Sequence, residues 1–296
     1  MGRYVVPSPL LDSIGVAADV LLAVGSDEQQ ASLLPQLASG ELLVVPAVVE
    51  ADGELASDSI AGTASRRGAD FVIDATKLLV PFAAVADLFL VAVRTGDADG
   101  VTLVLVDARA DGVSCEPLPN IAGHALSVVR FEGVSTPVAN LVGTEGDGWA
   151  PLADACLKGA VLQTATIVGA ARAVLDMTNQ YAKDRVQFGN PIGQYQAVQY
   201  LVSDILIDLH RADLLARQAA FRIDTGKPYA REAAIAVAFG KQAAAHLHRQ
   251  AHEVHAGVAF IDEHDLQLYS RRSKFWENHL GDARHYRELV ADAIQN

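Results

Sequence analysis

"DRVQFGNPIGQYQAVQYLVSDI", Asp184 to Ile205, lies between two long stretches of helical periodicity. It packs an arginine, a glutamine, an aromatic, two glycines and a proline into a short loop. Arg185 offers a planar fork of donors that suits a phosphate. Gly189 allows backbone to approach a ligand closely. Taken alone, the same loop is equally a plain helix–helix connection with a solvated arginine. The rest of the chain has to decide.

From Trp149 onward the apolar residues recur at helical spacing. The pattern predicts helices over about 149–183, 194–224, 228–257 and 263–294, the last opening at Ile261 or Asp262. The breaks are "FGNPIG", "DTGKP" and "GVAFIDEH". Four long helices with short links predict an antiparallel four-helix bundle. Upstream, from Leu42 to about Val142, the texture is different. "LLVVPAVVEA", "DFVIDATKLLVPF", "LFLVAVRT", "GVTLVLVDA" and "HALSVVRFEGV" are β-branched runs cut by Asp/Gly or Pro turns. They predict six to eight strands of a small barrel or sandwich, with "TGDADG" (95–100) as a hairpin turn. Residues 1 to about 43 read as helical. Ser26 and Gln29 form a capping box, Leu33, Leu34 and Leu37 face inward, Pro35 ends or kinks the helix, and Gly40 stops it.

The bulk properties remove several function classes. The 296 residues are 51% hydrophobic, enough for a full core and two domains. Net charge is −13 with no basic stripe, which argues against nucleic acid. The most apolar run, Leu78 to Val93, is too short for a bilayer and contains Pro81 and Asp87, so no membrane segment is predicted. Cys115 and Cys156 have neither metal nor redox spacing, and the expected compartment is a reducing cytoplasm.

The loop resembles a motif of the acyl-CoA dehydrogenase family. The residues that carry the resemblance are Arg185, Gln187, Phe188, Gly189, the Pro191-Ile192-Gly193 turn, Gln196 and Gln199. "HEVHAGVAFIDEHDLQLYSRR" is similar to that family's Q-x-H-G-G segment, and "FEGVSTPVANLVGTEGDGW" to its passage from β domain to bundle. The resemblance implies an α+β multidomain fold: a truncated N-terminal helical segment (1–43), a middle β-barrel or sandwich domain (44–145) and a C-terminal antiparallel four-helix bundle (146–296). It implies FAD and the conversion of an acyl-CoA thioester to a 2,3-enoyl-CoA. In the family the loop reaches the FAD of a neighbouring subunit. That assigns cofactor contacts to Arg185, Gln187, Phe188, Gly189 and Gln196, and to Glu253, Ala256 and Gly257.

The departures from the pattern are as informative. The reaction needs a carboxylate beside the substrate α-carbon. The two positions where the family places it fall on Leu280 and on or near Gly159, so no catalytic residue is assigned. Glu277, three residues before Leu280 and about one helical turn away, is a weak substitute. The family's flavin loop, of Thr-Glu-Pro-Gly-x-Gly-Ser-Asp type, is replaced by "VVEADGELASDS" (48–59). The stretch that backs the isoalloxazine appears as "LLVPFAAVAD", without Trp or a hydroxyl. Glu253 puts a carboxylate where the family has a neutral amide.

The chain thus resembles the short, base-lacking subunit of actinobacterial steroid-type heteromeric dehydrogenases. The expected partner is a paralogous full-length acyl-CoA dehydrogenase in an α2β2 heterotetramer. That partner supplies the Glu and the acyl-CoA pocket, and FAD is shared across the interface. The acyl group is expected to be bulky. Two other readings stay open. One is a non-catalytic structural or regulatory homo-oligomer without flavin. The other is a metal on His248, His252 and His255, which share one helix face; interface or surface histidines are the commoner outcome, and no metal is expected. Arg271 and Arg272 read as a solvated face or as contacts to a partner carboxylate or CoA phosphate.

Overall fold

The computed structural model describes residues 1–96 and 100–295. The centre of the expected 95–100 turn lies outside the described residues. The strands on either side of it are paired antiparallel from Leu88↔Asp107 to Val93↔Thr102. The chain forms two compact units, one of residues 8–120 and 124–159, the other of residues 1–7, 121–123 and 160–296.

The first unit opens with α1 (Leu10–Asp12), a π-helical turn (Ser13–Ala18), α2 (Asp19–Val24) and α3 (Asp27–Ser39). The capping box at the start of α3 forms as the sequence predicts: Gln29 N–H donates to Ser26 Oγ and Ser26 N–H to Gln29 Oε1. Pro35 does not end the helix, which runs on to a left-handed Gly40 with φ 78°. Of the three leucines, Leu37 is buried while Leu33 and Leu34 are half-buried.

Eight strands follow: β1 (Val44–Ala47), β2 (Thr63–Arg67), β3 (Asp70–Pro81), β4 (Leu88–Thr95), β5 (Thr102–Asp107), β6 (Val113–Pro117), β7 (Leu126–Pro137) and β8 (Leu141–Val142). Their order is β6-β7-β3-β2-β4-β5-β8, with β1 paired parallel to β4. Only two residue pairs join β2 to β4, so the sheet folds over there. Its halves close on a core that includes Val45, Phe71, Ile73, Phe89, Val91, Val104, Val129 and Phe131. Phe89 of β4 meets Phe131 of β7 edge to face, with centroids 5.7 Å apart. Eight strands on one core agree with the six to eight strands of a small barrel or sandwich that the sequence predicts.

The second unit is helical: α4 (Trp149–Asp184, of which the part from Ala160 clusters here), α5 (Gln196–Asp224), α6 (Ala230–His255), α7 (Leu266–Trp276) and α8 (Ala283–Gln295). The first three bundle helices match the sequence reading to within a few residues. The expected fourth is two helices, and it starts at Leu266 rather than at Ile261 or Asp262. The break spans 277–282, where Leu280 (φ 57°) and Gly281 (φ 89°) both take left-handed backbone. Two successive positive φ values cannot be helical. α4 is long and apolar enough to span a bilayer, with mean hydropathy 1.2 over its best window. Over half of that window (56%) is buried, as in a core helix. The core here joins Ile167, Ala171 and Val174 of α4 to Ile205, Leu209, Leu247, Leu266 and Trp276. The N-terminal residues lie on it: Arg3 pairs with Asp176 at 3.0 Å, and Tyr269 OH donates to Arg3 O at 2.6 Å.

Candidate cofactor arm and the positions of the missing base

The quoted loop is a small built object. Val186–Gln187 and Asn190–Pro191 pair as a two-residue hairpin, here β9 and β10. Phe188 (φ 54°) and Gly189 (φ 84°) make its turn. Positive φ at both central residues is the type I′ pattern, whose twist matches a hairpin. An aromatic rarely adopts this backbone, so the turn is held from outside. Tyr195 OH donates to Gln187 O at 2.9 Å, and Ile192 N–H to Arg185 O at 2.8 Å. Gln199 Nε2 donates to Gly193 O at 3.0 Å. A Cβ on Gly193 would come within 3.1 Å of Ala182 O, which explains a glycine there. Phe188 itself is 94% exposed at the tip, and Arg185, Gln187 and Gln196 are exposed around it.

The second motif meets the first through ring stacking. His255 lies on Tyr181 with centroids 4.5 Å apart, and Arg185 N–H donates to Tyr181 O. Ala256, where the family pattern has glycine, has φ 53° and ψ −137° and ends α6. Glu253, Ala256 and Gly257 are exposed. The structure therefore joins the Arg185–Gly189 and Glu253–Gly257 segments at one end of the bundle. The buried histidines behind them are a connected group. His248 and His255 each place Nδ1 within hydrogen-bond distance of the carbonyl four residues earlier, at 2.6 and 2.9 Å. His255 also contacts His264 at 4.9 Å, and His252 contacts Phe260 at 4.7 Å. Burial pushes His248 down to about 4 and lowers His252 and His255. Among the described residues no three His, Cys, Asp or Glu side chains converge on a metal site.

The two positions where the sequence reading looks for the family base, Leu280 and Gly159, carry no carboxylate. Leu280 is half-buried in the break between α7 and α8, and its carbonyl accepts from Tyr286 OH. Gly159 is buried within α4. Glu277 caps α7, and Lys274 Nζ reaches its two oxygens at 2.9 and 3.0 Å. The turn continues past α7 as far as His279, whose N–H donates to Phe275 O at 2.9 Å, and Leu280 leaves it with φ 57°. Arg271 donates through Nε to Ile121 O at 2.9 Å and through Nη1 to Gln267.

Beneath the break lies a residue that sequence reasoning missed. Lys241 of α6 is 2% exposed. Its Nζ donates to Gln163 Oε1 (2.9 Å), Trp276 O (2.6 Å) and His279 O (2.8 Å). The Trp276 carbonyl belongs to the last residue of α7 and the His279 carbonyl to the break after it, where helix partners run out. Burial pushes the ammonium down to about 7, against the pull of Asp282 and Glu277.

In the β unit, the Val48–Ser59 segment packs on a second buried lysine. Lys77 is fully buried, and its Nζ meets Glu50 Oε1 at 2.6 Å. Glu50 also accepts from Ala61 and Gly62 N–H, both at 3.0 Å. Desolvation lowers the lysine pKa and the carboxylate holds it up. Just beyond, β3 bulges between Lys77 and Val80, and Leu79 (φ 56°) turns its side chain outward. That bulge falls within the "LLVPF" stretch. A cavity of about 450 Å³ opens beside Glu50, Gly62, Asp74, Thr76 and Leu78.

Family models place the chain. The C-terminal domain model of the acyl-CoA dehydrogenases matches residues 146–295, and the middle domain model matches residues 50–134. The chain belongs to the acyl-CoA dehydrogenase family. Its members are FAD-dependent oxidoreductases that dehydrogenate acyl-CoA thioesters, and this chain has their middle β domain and C-terminal helical domain. It is 34% identical to the benzylmalonyl-CoA dehydrogenase of Aromatoleum aromaticum, over 74% of this chain and 59% of that one. It is 28% identical to the probable acyl-CoA dehydrogenase YngJ of Bacillus subtilis, over 94% of this chain and 75% of that one. Among solved structures it is similar to the ChsE4-ChsE5 complex of Mycobacterium tuberculosis. The TM-score is 0.89 and the identity 27%, covering all of this chain and 78% of the other.

Proposed function

We propose that this acyl-CoA dehydrogenase family chain is the base-lacking subunit of a heteromeric, FAD-dependent enzyme. A paralogous full-length subunit carries the catalytic Glu and the acyl-CoA pocket. This chain contributes the arm Arg185–Gly189, with Gln196, Glu253, Ala256 and Gly257, to the FAD bound there. The assembly is an α2β2 heterotetramer, and a bulky, steroid-derived acyl group is its substrate. Two free cysteines suit a reducing cytoplasm.

One observation carries the reading. A braced hairpin presents a 94% exposed phenylalanine and an exposed arginine, while both base positions hold residues without a carboxylate. Ordering an aromatic in left-handed backbone at a solvent-facing tip gains this chain an edge contact with Tyr195, 6.4 Å between centroids, and leaves the ring 94% exposed. It suits a tip that meets another molecule. The arm fits the nucleotide end of FAD: a guanidinium for a pyrophosphate, a ring for the adenosine, and open space over Gly189. The β unit fits the flavin end poorly, because Val48 and Ile60 are buried and Glu50 is committed to Lys77. Bound FAD supplies the hydride acceptor. In this chain the arm's part is to hold and orient, and a base on the partner has to take the α-proton. A likeness to a two-component complex supports the heteromer.

The competing reading is a flavin-free structural or regulatory homo-oligomer. A visible spectrum separates the two. The protein is purified alone and with its co-expressed paralogue, then mixed anaerobically with acyl-CoA. Flavin that appears only in the complex and bleaches there is the expected result. No flavin in either preparation overturns the arm assignment. Flavin that bleaches in the lone chain overturns the heteromer and makes Glu277 the first residue to replace.

A further inference from the structure

The foot of the arm rests on an imidazole. Arg185 N–H donates to Tyr181 O at 2.9 Å, and the Tyr181 ring is stacked on His255, with centroids 4.5 Å apart and 26° between planes. His255 is 1% exposed. Its Nδ1 lies 2.9 Å from Ala251 O. A carbonyl only accepts, so Nδ1 carries the proton of the neutral ring and Nε2 is bare. That Nε2 is buried and has no hydrogen-bond partner among the described residues.

Its neighbours repeat the arrangement. His248 donates through Nδ1 to Ala244 O at 2.6 Å, and its Nε2 is likewise buried and unpartnered. So is Nδ1 of His252. His264 stands edge-on to His255 at 4.9 Å, and its Nδ1 accepts from Leu266 N–H at 3.2 Å. Four imidazoles therefore gather behind the arm, and three of them bury a ring nitrogen that nothing bonds.

The surroundings of His255 offer a cation no anion. Tyr181 faces it from α4, His264 from the segment before α7, and His252 from its own helix. Lys274 of α7 acts on His248 and disfavours its charge. The carboxylates nearby in the chain, Glu253, Asp262, Glu263 and Asp265, are exposed, and none pairs with these rings among the described residues. A second proton on His255 has to go to Nε2. It would create a buried cation and a buried donor with no acceptor. The neutral ring fits where it lies. The charged ring is stable only in water, and its departure takes away the surface on which Tyr181 rests.

We propose, on the reading of Arg185–Gly189 as an FAD arm, that His255 positions that arm and that protonation of the histidine cluster makes the arm let go of FAD. The sign follows from burial, which lowers both His255 and His252 from the ordinary 6.5. Rings that refuse a proton in place and accept one when released give a hold that is complete above about pH 6.5 and drains away below it. Each such ring weakens the hold by at most about tenfold per pH unit.

The test uses the complex with the co-expressed paralogue and, beside it, the lone full-length chain. In the complex, flavin fluorescence gives the FAD dissociation constant from about pH 7.5 to about pH 5.5, and far-UV circular dichroism checks that the fold persists. The constant should rise about tenfold over that range. His255→Phe keeps a ring beneath Tyr181 but takes up no proton, so its constant should change by less than about threefold. His255→Ala should bind weakly throughout. In the lone chain, the amides of Arg185 and Ile192 should exchange hydrogen faster in acid, after correction for the intrinsic effect of pH, and His255→Phe should abolish the difference. A dissociation constant that is flat with pH, or that rises as steeply in His255→Phe, overturns the inference and leaves the arm in place. A complex without flavin at any pH removes the arm assignment instead. The two amides then decide the part played by His255, and exchange that is indifferent to pH overturns it.

Discussion

Ala256 sits at φ 53°, ψ −137°, a backbone region that glycine occupies freely and alanine does not. Ala256→Gly should therefore raise the unfolding free energy in urea by about 1 kcal/mol, the strain outweighing the added freedom of the unfolded chain. Lys241→Met is expected to act the other way. It leaves Trp276 O and His279 O buried without their donor, a loss of about 2–4 kcal/mol by denaturant midpoint. These two residues differ in how well the sequence discloses them. Ala256 is legible because its neighbours spell a motif and it departs from it. Lys241 is not, because a lysine in an alanine-rich helix reads as a solvent-facing residue. Its acceptors lie 78, 35 and 38 positions away, and no local pattern encodes them. Glu50 and Lys77, 27 positions apart, escape notice for the same reason.

Among the elements, the arm permits a clean separation of binding from stability. Arg185→Ala and Phe188→Ala remove exposed groups, so the melting temperature should hold within the equivalent of about 0.5 kcal/mol. Flavin retained by the co-purified complex should fall, read as the 450 nm absorbance per protein. The histidine-rich end of α6 has a pH dependence with a definite sign. His248 takes up its proton near 4 in the folded chain, against an ordinary value of 6.5. The stability tied to its neutral ring is complete above about pH 6.5 and drains away as pH falls from 6.5 towards 4, because the unfolded chain gains a proton that the folded ring refuses. The loss is about 3 kcal/mol, and His248→Leu should flatten that part of the curve. Helix ends with side-chain signals, such as Ser26 and Gln29, were readable in advance. The gap between α7 and α8 was not. Its one cue is Gly281, and the left-handed Leu280 before it depends on Lys241 and Tyr286 from other helices.

For the whole molecule, the three-zone order of helix, strands and bundle was visible in periodicity alone, since period two and period 3.6 leave different marks. What the periodicity could not give was which faces are left over for other chains, because an outward leucine has the same letter as an inward one. The division of labour can be tested by trying to undo it. Leu280→Glu places a carboxylate at the family position, yet the lone chain should still fail to bleach flavin with acyl-CoA. Its Val48–Ser59 segment gives Glu50 and the Val48 carbonyl to Lys77. Appearance of activity in that variant alone would overturn the split-site reading.

The projecting Phe188 has one more implication, for how the cell must make this protein. A folded chain that holds a bare phenyl ring on a stiff hairpin, with Tyr200, Leu214 and Phe221 also open to water, is sticky while it waits. Surplus copies would clump or be degraded. Production is therefore best matched to whatever covers that ring, and overexpression of this chain by itself should raise the fraction that aggregates relative to co-expression.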